Sequence, residues 1–365
     1  MGTLSRFIVA RWRRGAIAAF IALGCADRGT GPNPGGVPRT FRMGFSAIGP
    51  DSTLSGTLAA LDAWTARADA AIMHISVPYK ALLTGTTAAA YVDANQVQLA
   101  AYYRAKHLML VVTVDVTNGL DRSAEDPDLV AMGRSITEPA VQQVYRDYVK
   151  ALVSAIHPEY LGLAAETNLI RGAASAAVYA AVVQMANAAA GDVHAMSGAH
   201  PVLYASVQAD EGWGRLLHNN TYQGVEQDFH DFPFMEALAL SSYPYFVFTD
   251  PNDIPPDYYT RLANGRTLPV LVVEGGWTSG AVGSVQSSPQ AQARYIRRQE
   301  QLLDAAKAVA VFQLTYADLD LNAFPAQPPG SILPLFAKLG IVDTHLQPKP
   351  ALASYDSVFA RPLTK

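Results

Sequence analysis

The sequence predicts an α/β fold, a single (β/α)8 TIM barrel, on three observations. Eight short apolar runs recur along the chain without polar alternation, which is typical of strands buried on both faces of a parallel sheet. Amphipathic or Ala-rich helical stretches fill most of the gaps, as right-handed crossovers between parallel strands require. The 365 residues are enough for one such barrel, and neither a sequence repeat nor a second domain is evident.

The predicted strands are separated by segments long enough for helices. In order they are Arg42–Ile48, Ala71–Val77, Leu108–Val114, Tyr160–Ala165, Pro201–Val207, Ala237–Ser242, the apolar start of Leu268–Ser279, and Ala308–Thr315. The helices with the clearest patterns are Tyr91–Ala105, Glu138–Ile156, Ala173–Ala190 and Gln290–Ala306. The segment His218–Phe234 is aromatic and polar rather than periodic. An open doubly wound sheet is the alternative, but no glycine-rich phosphate loop follows the first strand.

The first 25 residues predict a lipoprotein-type signal peptide. Arginines precede a short apolar run, Ala16–Leu23, which is far below the ~20 residues of a membrane span. Cys25, the only cysteine, follows a stretch that resembles a bacterial lipobox, with Ala22 where that motif usually has Leu. We therefore expect lipidation at Cys25. An ordinary signal peptide with an incidental cysteine is the alternative.

A Gly/Pro-rich linker is predicted at residues 26–40, and the catalytic-type barrel domain at 41–365. We expect an exported protein, either lipid-anchored to the bacterial cell envelope or secreted. Its contact with a membrane would be through the anchor alone, and the domain is expected to be a monomer.

Composition and spacing exclude several classes of function. The net charge of −4 and the pI of about 6.1 provide no basic field for nucleic acid. No His, Cys and Asp residues have the spacing of a zinc site, and the acidic residues at 121–128 lack the ligand pattern of a calcium loop. A serine-triad enzyme would need a nucleophile elbow, which is missing. Neither a metal nor a cofactor is expected.

Two glutamates directly follow buried-type strands. Glu166 follows the predicted fourth strand and Glu274 the seventh. The carboxyl ends of all strands of a (β/α)8 barrel surround one pocket, so these side chains are expected to face each other. Retaining hydrolysis of a glycosidic bond needs two carboxyl groups about 5–5.5 Å apart. For Glu274, the alternative is an acid that caps the next helix.

Four passages in the second half of the chain carry a family likeness. They are VLVVEGGW at 270–277, ALALSSYPYF at 237–246, SSPQAQARYIRRQ at 287–299 and LGIVDTHLQPKPALASYDSVF at 339–359. They resemble, in that order, the nucleophile strand, the sixth strand, the helix region after the nucleophile and the closing segment of glycoside hydrolase clan A. The closest resemblance is to family 53, the endo-β-1,4-galactanases.

The resemblance implies roles for individual residues. Glu274 would be the nucleophile and Glu166 the acid/base. Tyr243 would hydrogen-bond the nucleophile, and Trp277 would offer a platform for a sugar ring. The clan has Asn immediately before the acid/base to bind the sugar 2-hydroxyl; here that position is Ala165.

Further substrate-binding candidates come from their positions along the chain. These candidates are Asn168, two residues after Glu166; His74, within the second strand; Asp115, after the third; and Trp213, after the fifth. The alternatives are a satisfied core histidine, a loop-capping aspartate and a solvated loop. The sequence therefore predicts a retaining glycoside hydrolase that cleaves β-linked polysaccharides or oligosaccharides, and the resemblance to family 53 adds galactan as one candidate substrate. A catalytically inactive carbohydrate-binding lipoprotein and a mannanase- or glucanase-type member of the clan remain open.

Overall fold

A computed structural model describes residues 37–198, 200–326 and 329–364. The predicted signal peptide, Cys25 and most of the predicted linker lie outside these residues. Within the described part of the chain, no helix has the length and apolar character that crossing a bilayer requires.

The sheet confirms the predicted (β/α)8 barrel. The strands lie in the order β5-β4-β3-β2-β1-β9-β8-β7-β6, and each strand pairs parallel with its neighbours. Their bounds are β1 Arg42–Ser46, β2 Ala70–Ser76, β3 Met109–Asp115, β4 Tyr160–Gly162, β5 Val202–Tyr204, β6 Ser206–Gln208, β7 Leu238–Ser242, β8 Val270–Gly275 and β9 Ala310–Gln313.

The ring has nine strands rather than eight because the predicted fifth strand is divided at Ala205. Its first half, β5, pairs with β4, and its second half, β6, pairs with β7. Two backbone hydrogen bonds carry the chain across the division: Leu163 N donates to Tyr204 O, and Ser206 N donates to Ala164 O. The ring of strands therefore closes where β5 runs on into β6.

Helices and short helical turns connect the strands. They are α1 Leu54–Thr65, α2 Tyr79–Leu83, α3 Ala88–Asn95, α4 Val97–Ala105, α5 Pro127–Ala131, α6 Pro139–Ile156, α7 Thr167–Ala173, α8 Ala176–His194, α9 Ala209–Gly212, α10 Glu226–Asp231, α11 Thr260–Ala263, α12 Pro289–Ala305, α13 Leu333–Phe336 and α14 Pro350–Phe359. Short 3-10 turns occur at Pro244–Phe246, Pro251–Asp253 and Leu321–Ala323.

Two helix predictions differ from the structure by more than one residue. The predicted helix Tyr91–Ala105 is divided at Gln96, whose buried amide Nε2 donates to the hydroxyl of Tyr148. The predicted helix Ala173–Ala190 begins instead at Ala176, because the Ser175 hydroxyl accepts a hydrogen bond from Val178 N as an N-cap.

Alternate residues of the strands form two cores. The larger core lies between the barrel and the helices, as in β2, where Ala71 and Met73 belong to the cluster that contains Trp64 of α1. The smaller core fills the barrel interior. Its buried members are Ala70, Ile72, Val111, Tyr204, Ala237, Ala239, Leu271, Val273, Ala310 and Phe312. The interior is thus packed below the carboxyl ends of the strands.

Gly162 of β4 makes the closest approach inside this core. A Cβ added there would lie 2.4 Å from the ring of Tyr204, whose hydroxyl lies 2.7 Å from Thr113 Oγ1 and 3.0 Å from Val112 O. Because these two contacts fix the hydroxyl end of the Tyr204 ring, we expect Gly162→Ala to destabilise the fold by about 1–3 kcal/mol. Urea unfolding checks this. In the control Gly191→Ala, a helical position with open space, stability should rise by up to ~1 kcal/mol; equal effects would contradict the prediction.

Candidate active site

A bulge in β8 turns Glu274 into the barrel. Leu271 and Val273 face the interior, so strict alternation would point Glu274 toward the helices. The register shifts, however: Leu240 pairs with Val272, but the next residue of β7, Ser241, pairs with Glu274. Val273 is therefore an extra residue, and the bulge brings Glu274 to the same inward side as Ser241.

A left-handed backbone conformation directs Glu166. Its φ of 50° and ψ of 49° lie in the region that non-glycine residues rarely adopt. Glu166 N donates to Ser206 Oγ at 3.0 Å, and Glu166 O accepts from Leu169 N at the start of α7. Such a conformation costs of order 1–3 kcal/mol and is typical of functional sites. Here it turns the carboxylate from the end of β4 toward β7 and β8.

The two glutamates meet at one serine. Ser241 Oγ lies 2.5 Å from Oε1 of Glu166 and 2.8 Å from Oε1 of Glu274. The two oxygens are therefore separated by at most the sum of these lengths, 5.3 Å. The glutamates are 8% and 4% exposed, so both carboxyl groups are shielded from bulk water.

Arg122, in the loop after β3, lies between two acids. Its Nε donates to Glu166 Oε2 at 2.9 Å, and its Nη1 donates to both oxygens of Asp115 at 2.8 and 2.9 Å. Nη1 also donates to Thr117 Oγ1 at 3.2 Å. Nη2 is buried and has no hydrogen-bond partner among the described residues. Asp115 thus binds the Arg122 guanidinium group through both carboxylate oxygens and holds it against Glu166.

Removing this cation should destabilise the protein. Arg122→Met would leave Asp115 and Glu166 buried without their counter-charge, which in comparable buried pairs costs about 3–5 kcal/mol. Urea unfolding of the variant measures the loss. Adding Asp115→Asn to the variant removes one of the two stranded charges, and we expect it to restore part of the stability. A double variant that is less stable than Arg122→Met would contradict this account.

The shared environment raises the pKa of Glu274 to about 8. Burial is the main cause and the negative charge of Glu166 is the second, while Arg122 acts in the opposite direction. Burial therefore favours the protonated form of the Glu274 carboxyl group. This differs from the resemblance, which gives the proton-donating role to Glu166.

The raised pKa makes stability depend on pH. The folded pKa of Glu274 exceeds its ordinary value of 4.5, so the protonated side chain stabilises the folded state. This contribution to the free energy of unfolding is complete below about pH 4.5 and is lost as the pH rises through about 8. Glu274→Gln removes this titration. We expect the variant to melt above the wild type by roughly a few degrees at pH 9, and by less at pH 5. Thermal melts at the two pH values check this, and an equal difference at both would contradict it.

His74 of β2 lies beside Glu274 inside the barrel. Its Nε2 is 3.1 Å from Val273 O and 3.6 Å from Glu274 Oε2. Burial lowers the pKa of His74 to about 4, so the ring is neutral at physiological pH. His74 therefore packs against the glutamate without adding a charge.

Tyr243 follows β7 but does not make the contact that the resemblance implies. Its hydroxyl is buried and has no hydrogen-bond partner within the described part of the chain. Burial, followed by the charges of Glu274 and Glu166, raises its pKa well above the ordinary value. The predicted hydrogen bond from Tyr243 to Glu274 is absent, and Ser241 makes that bond instead.

The two aromatic residues that are predicted to contact sugar are buried and pack against other rings. Trp277 is 1% exposed and packs against Tyr295 and Tyr245, with ring centroids 5.3 and 6.2 Å away. Trp213 is 8% exposed and stacks on Tyr258 at 5.4 Å. Tyr295 of α12 lies against the Trp277 ring, and Tyr258 and the guanidinium group of Arg261 lie against the Trp213 ring.

Asn168 is also occupied by protein groups. Its Nδ2 donates to Gln208 O at 2.9 Å, and its Oδ1 accepts from Gln208 N at 2.8 Å. The amide thus joins α7 to the end of β6. The structure brings together Glu166, Glu274, His74 and Asp115, and it uses Asn168 to support the loop behind them.

Sequence reasoning missed Arg122 and Ser241. Arg122 is a cation within the acidic stretch that follows β3, and this is the sequence feature that could have identified it as a site residue. Ser241 continues the inward series Ala237 and Ala239, so alternation alone would have placed it inside. In the described ranges, no group of three or more His, Cys, Asp or Glu side chains is arranged to hold a metal ion.

No family model and no curated protein matches the chain. Solved structures do resemble it: a β-glucuronidase from Ruminococcus gnavus with D-glucaro 1,5-lactone is 14% identical, with a TM-score of 0.54 over 88% of this chain and 50% of that one. An exo-β-1,4-mannosidase from Opitutaceae bacterium strain TAV5 is 15% identical, with a TM-score of 0.63 over 90% and 61%. Xylanase 10B from Thermotoga maritima is 14% identical, with a TM-score of 0.57 over 88% and 95%.

The chain therefore spans between half and two thirds of the length of the first two of these proteins. At these identities the likeness shows a shared barrel fold.

Proposed function

We propose that this protein is a retaining glycoside hydrolase acting on β-linked sugars. The observation that carries the proposal is the closeness of Glu166 and Glu274, whose Oε1 atoms lie at most 5.3 Å apart at the carboxyl ends of the barrel strands. Any separation within this limit is shorter than the roughly 6.5–9.5 Å that inversion needs to admit a water, so the limit favours a double displacement. A single retaining mechanism explains why two acids are buried together.

The proposed roles follow the strand positions. Glu274 would attack the anomeric carbon while Glu166 protonates the departing oxygen, and Glu166 would then deprotonate the water that releases the sugar. The left-handed turn at Glu166 and the bulge at Glu274 support these roles, since each deviation aims a carboxyl group at the same point.

The substrate class is proposed from the neighbours and the family resemblance. The β-glucuronidase and the exo-β-1,4-mannosidase each act on a β-linked sugar by name. A galactan-type substrate is suggested by the likeness of residues 237–246 and 270–277 to family 53. We propose an exported protein whose partner is a carbohydrate and whose membrane contact, through Cys25, is a lipid anchor.

A carbohydrate-binding protein without hydrolytic activity is the second candidate. The observation that favours it is the burial of Glu274, because burial favours the protonated carboxyl group, which is not a nucleophile. In that case glycans would bind saturably, and no reducing ends would be released during long incubation.

One screen separates the two candidates. The chain from Ala26 onward is incubated with β-linked galactan, mannan, xylan and glucan and with aryl β-glycosides, and released sugar is measured. Hydrolysis that Glu274→Gln abolishes supports the enzyme. Binding of a glycan in calorimetry without release of sugar supports the binding protein. If no glycan is hydrolysed and none is bound, both candidate functions are overturned.

A further inference from the structure

The contacts of Ser241 require a proton on one of the glutamates. A hydroxyl group has one proton to donate and otherwise accepts. Its two short contacts, to Glu166 Oε1 and to Glu274 Oε1, are both hydrogen bonds only if one carboxyl group is protonated and donates to Oγ. Ser241 is fully buried, so water does not supply the missing proton. Two protons therefore lie along three oxygen atoms.

We propose that Ser241 is a positioning residue that relays the shared proton between Glu274 and Glu166. The Glu274 carboxyl proton moves to Ser241 Oγ as the hydroxyl proton of Ser241 moves to Glu166 Oε1. The serine is regenerated, Glu274 becomes the carboxylate, Glu166 becomes the acid, and the total charge does not change. This inference rests on the proposed function, because retention needs this second distribution of protons.

The resting structure needs such a relay. Arg122 donates to Glu166 Oε2 and so stabilises a negative charge there, which leaves the proton on Glu274. No hydrogen bond joins the carboxyl groups of these two described residues directly, and their Oε1 atoms are each within hydrogen-bond distance of Ser241 Oγ. A shift of the proton through that hydroxyl converts the resting state into the reactive one without moving either backbone.

The other groups around the pair do not replace the serine. From β2, His74 has its Nε2 directed to Val273 O, so that nitrogen donates and does not accept a proton from Glu274. The hydroxyls of Tyr204 and Tyr243 have pKa values raised by burial and stay protonated. Among the described residues, the remaining charged groups that face the pair are Arg122 and Asp115, which are paired with each other.

The test replaces one serine and spares its neighbour. Ser241→Ala removes the bridging hydroxyl. Ser242→Ala is the matched control, because its equally buried hydroxyl lies 3.0 Å from Tyr259 Oη instead. Each protein is labelled with 13C at glutamate Cδ, the two signals are assigned with Glu166→Gln and Glu274→Gln, and both are followed by NMR from pH 4 to pH 10.

In the wild type and in Ser242→Ala, the Cδ chemical shifts of both glutamates should change over the pH range in which the shared proton is lost. In Ser241→Ala, only the Cδ chemical shift of Glu274 should change over that range. Identical curves in Ser241→Ala and the wild type would overturn the relay. If Ser241→Ala does not fold, the wild type decides: a Glu166 signal that stays still during that step overturns the proposal.

Kinetics provide the second readout if the wild type cleaves a glycoside. Ser241→Ala should lower kcat/KM by about 10²–10³-fold for a leaving group that needs a proton, and much less for a nitrophenolate. A purely structural role would lower both equally. Absence of hydrolysis by the wild type would count against the proposed function, while the NMR curves would still decide the relay.

Discussion

Glu274→Gln is expected to lower kcat/KM by at least about 10³-fold on any β-glycoside that the wild type cleaves. The amide has nearly the shape of a protonated carboxyl group, but it cannot form a glycosyl ester with the anomeric carbon. Because burial at this position favours an uncharged group, the fold should be retained. Release of sugar from the best substrate of the screen, with a thermal melt in parallel, measures both effects.

Glu236→Gln is the matched control for this prediction. Glu236 immediately precedes the predicted sixth strand, and its Oε2 accepts from Leu203 N at 2.9 Å, a role that an amide oxygen can keep. We expect activity within about twofold of the wild type, as for substitutions that keep local contacts. Turnover in Glu274→Gln close to that of Glu236→Gln would remove Glu274 from the mechanism.

Glu166→Ala should have the second-largest effect, and one that depends on the leaving group. Loss of a general acid costs about 10²–10⁴-fold when the departing oxygen must be protonated. An activated aryl glycoside needs no such proton, so its first step should be nearly preserved and a glycosyl-enzyme should accumulate. Burst kinetics with a nitrophenyl glycoside, compared with turnover of a natural oligosaccharide, measure this difference.

Azide distinguishes the roles of the two glutamates. In Glu166→Ala, azide should enter the space left by the carboxylate, attack the glycosyl-enzyme and give a sugar azide with the configuration of the substrate. In Glu274→Ala, any azide product should have the inverted configuration. The opposite pattern would exchange the roles, making Glu166 the nucleophile and Glu274 the acid, as the resting proton on Glu274 would by itself suggest.

Several features of the site could be predicted from the chain because they depend on local pattern. Glu166 and Glu274 each end an apolar run, and in a barrel such ends converge. Trp277 and Trp213 show the limit of this reasoning. Each lies near a strand end, as a sugar platform would, but a tryptophan there is as easily buried. Only the packing of Tyr295 and Tyr258 against them shows that their faces are covered.

The sequence by itself determined the class of fold and the strand ends that bear carboxylates, because the hydrophobic period and the order of elements are properties of the chain alone. The tertiary structure decided where those carboxylates point. One extra residue in β8 and one left-handed residue after β4 aim them at Ser241, and Arg122 reaches Glu166 from a loop 44 residues away. Bulges, backbone reversals and buried ion pairs depend on contacts between distant segments, which a pattern along one strand does not contain.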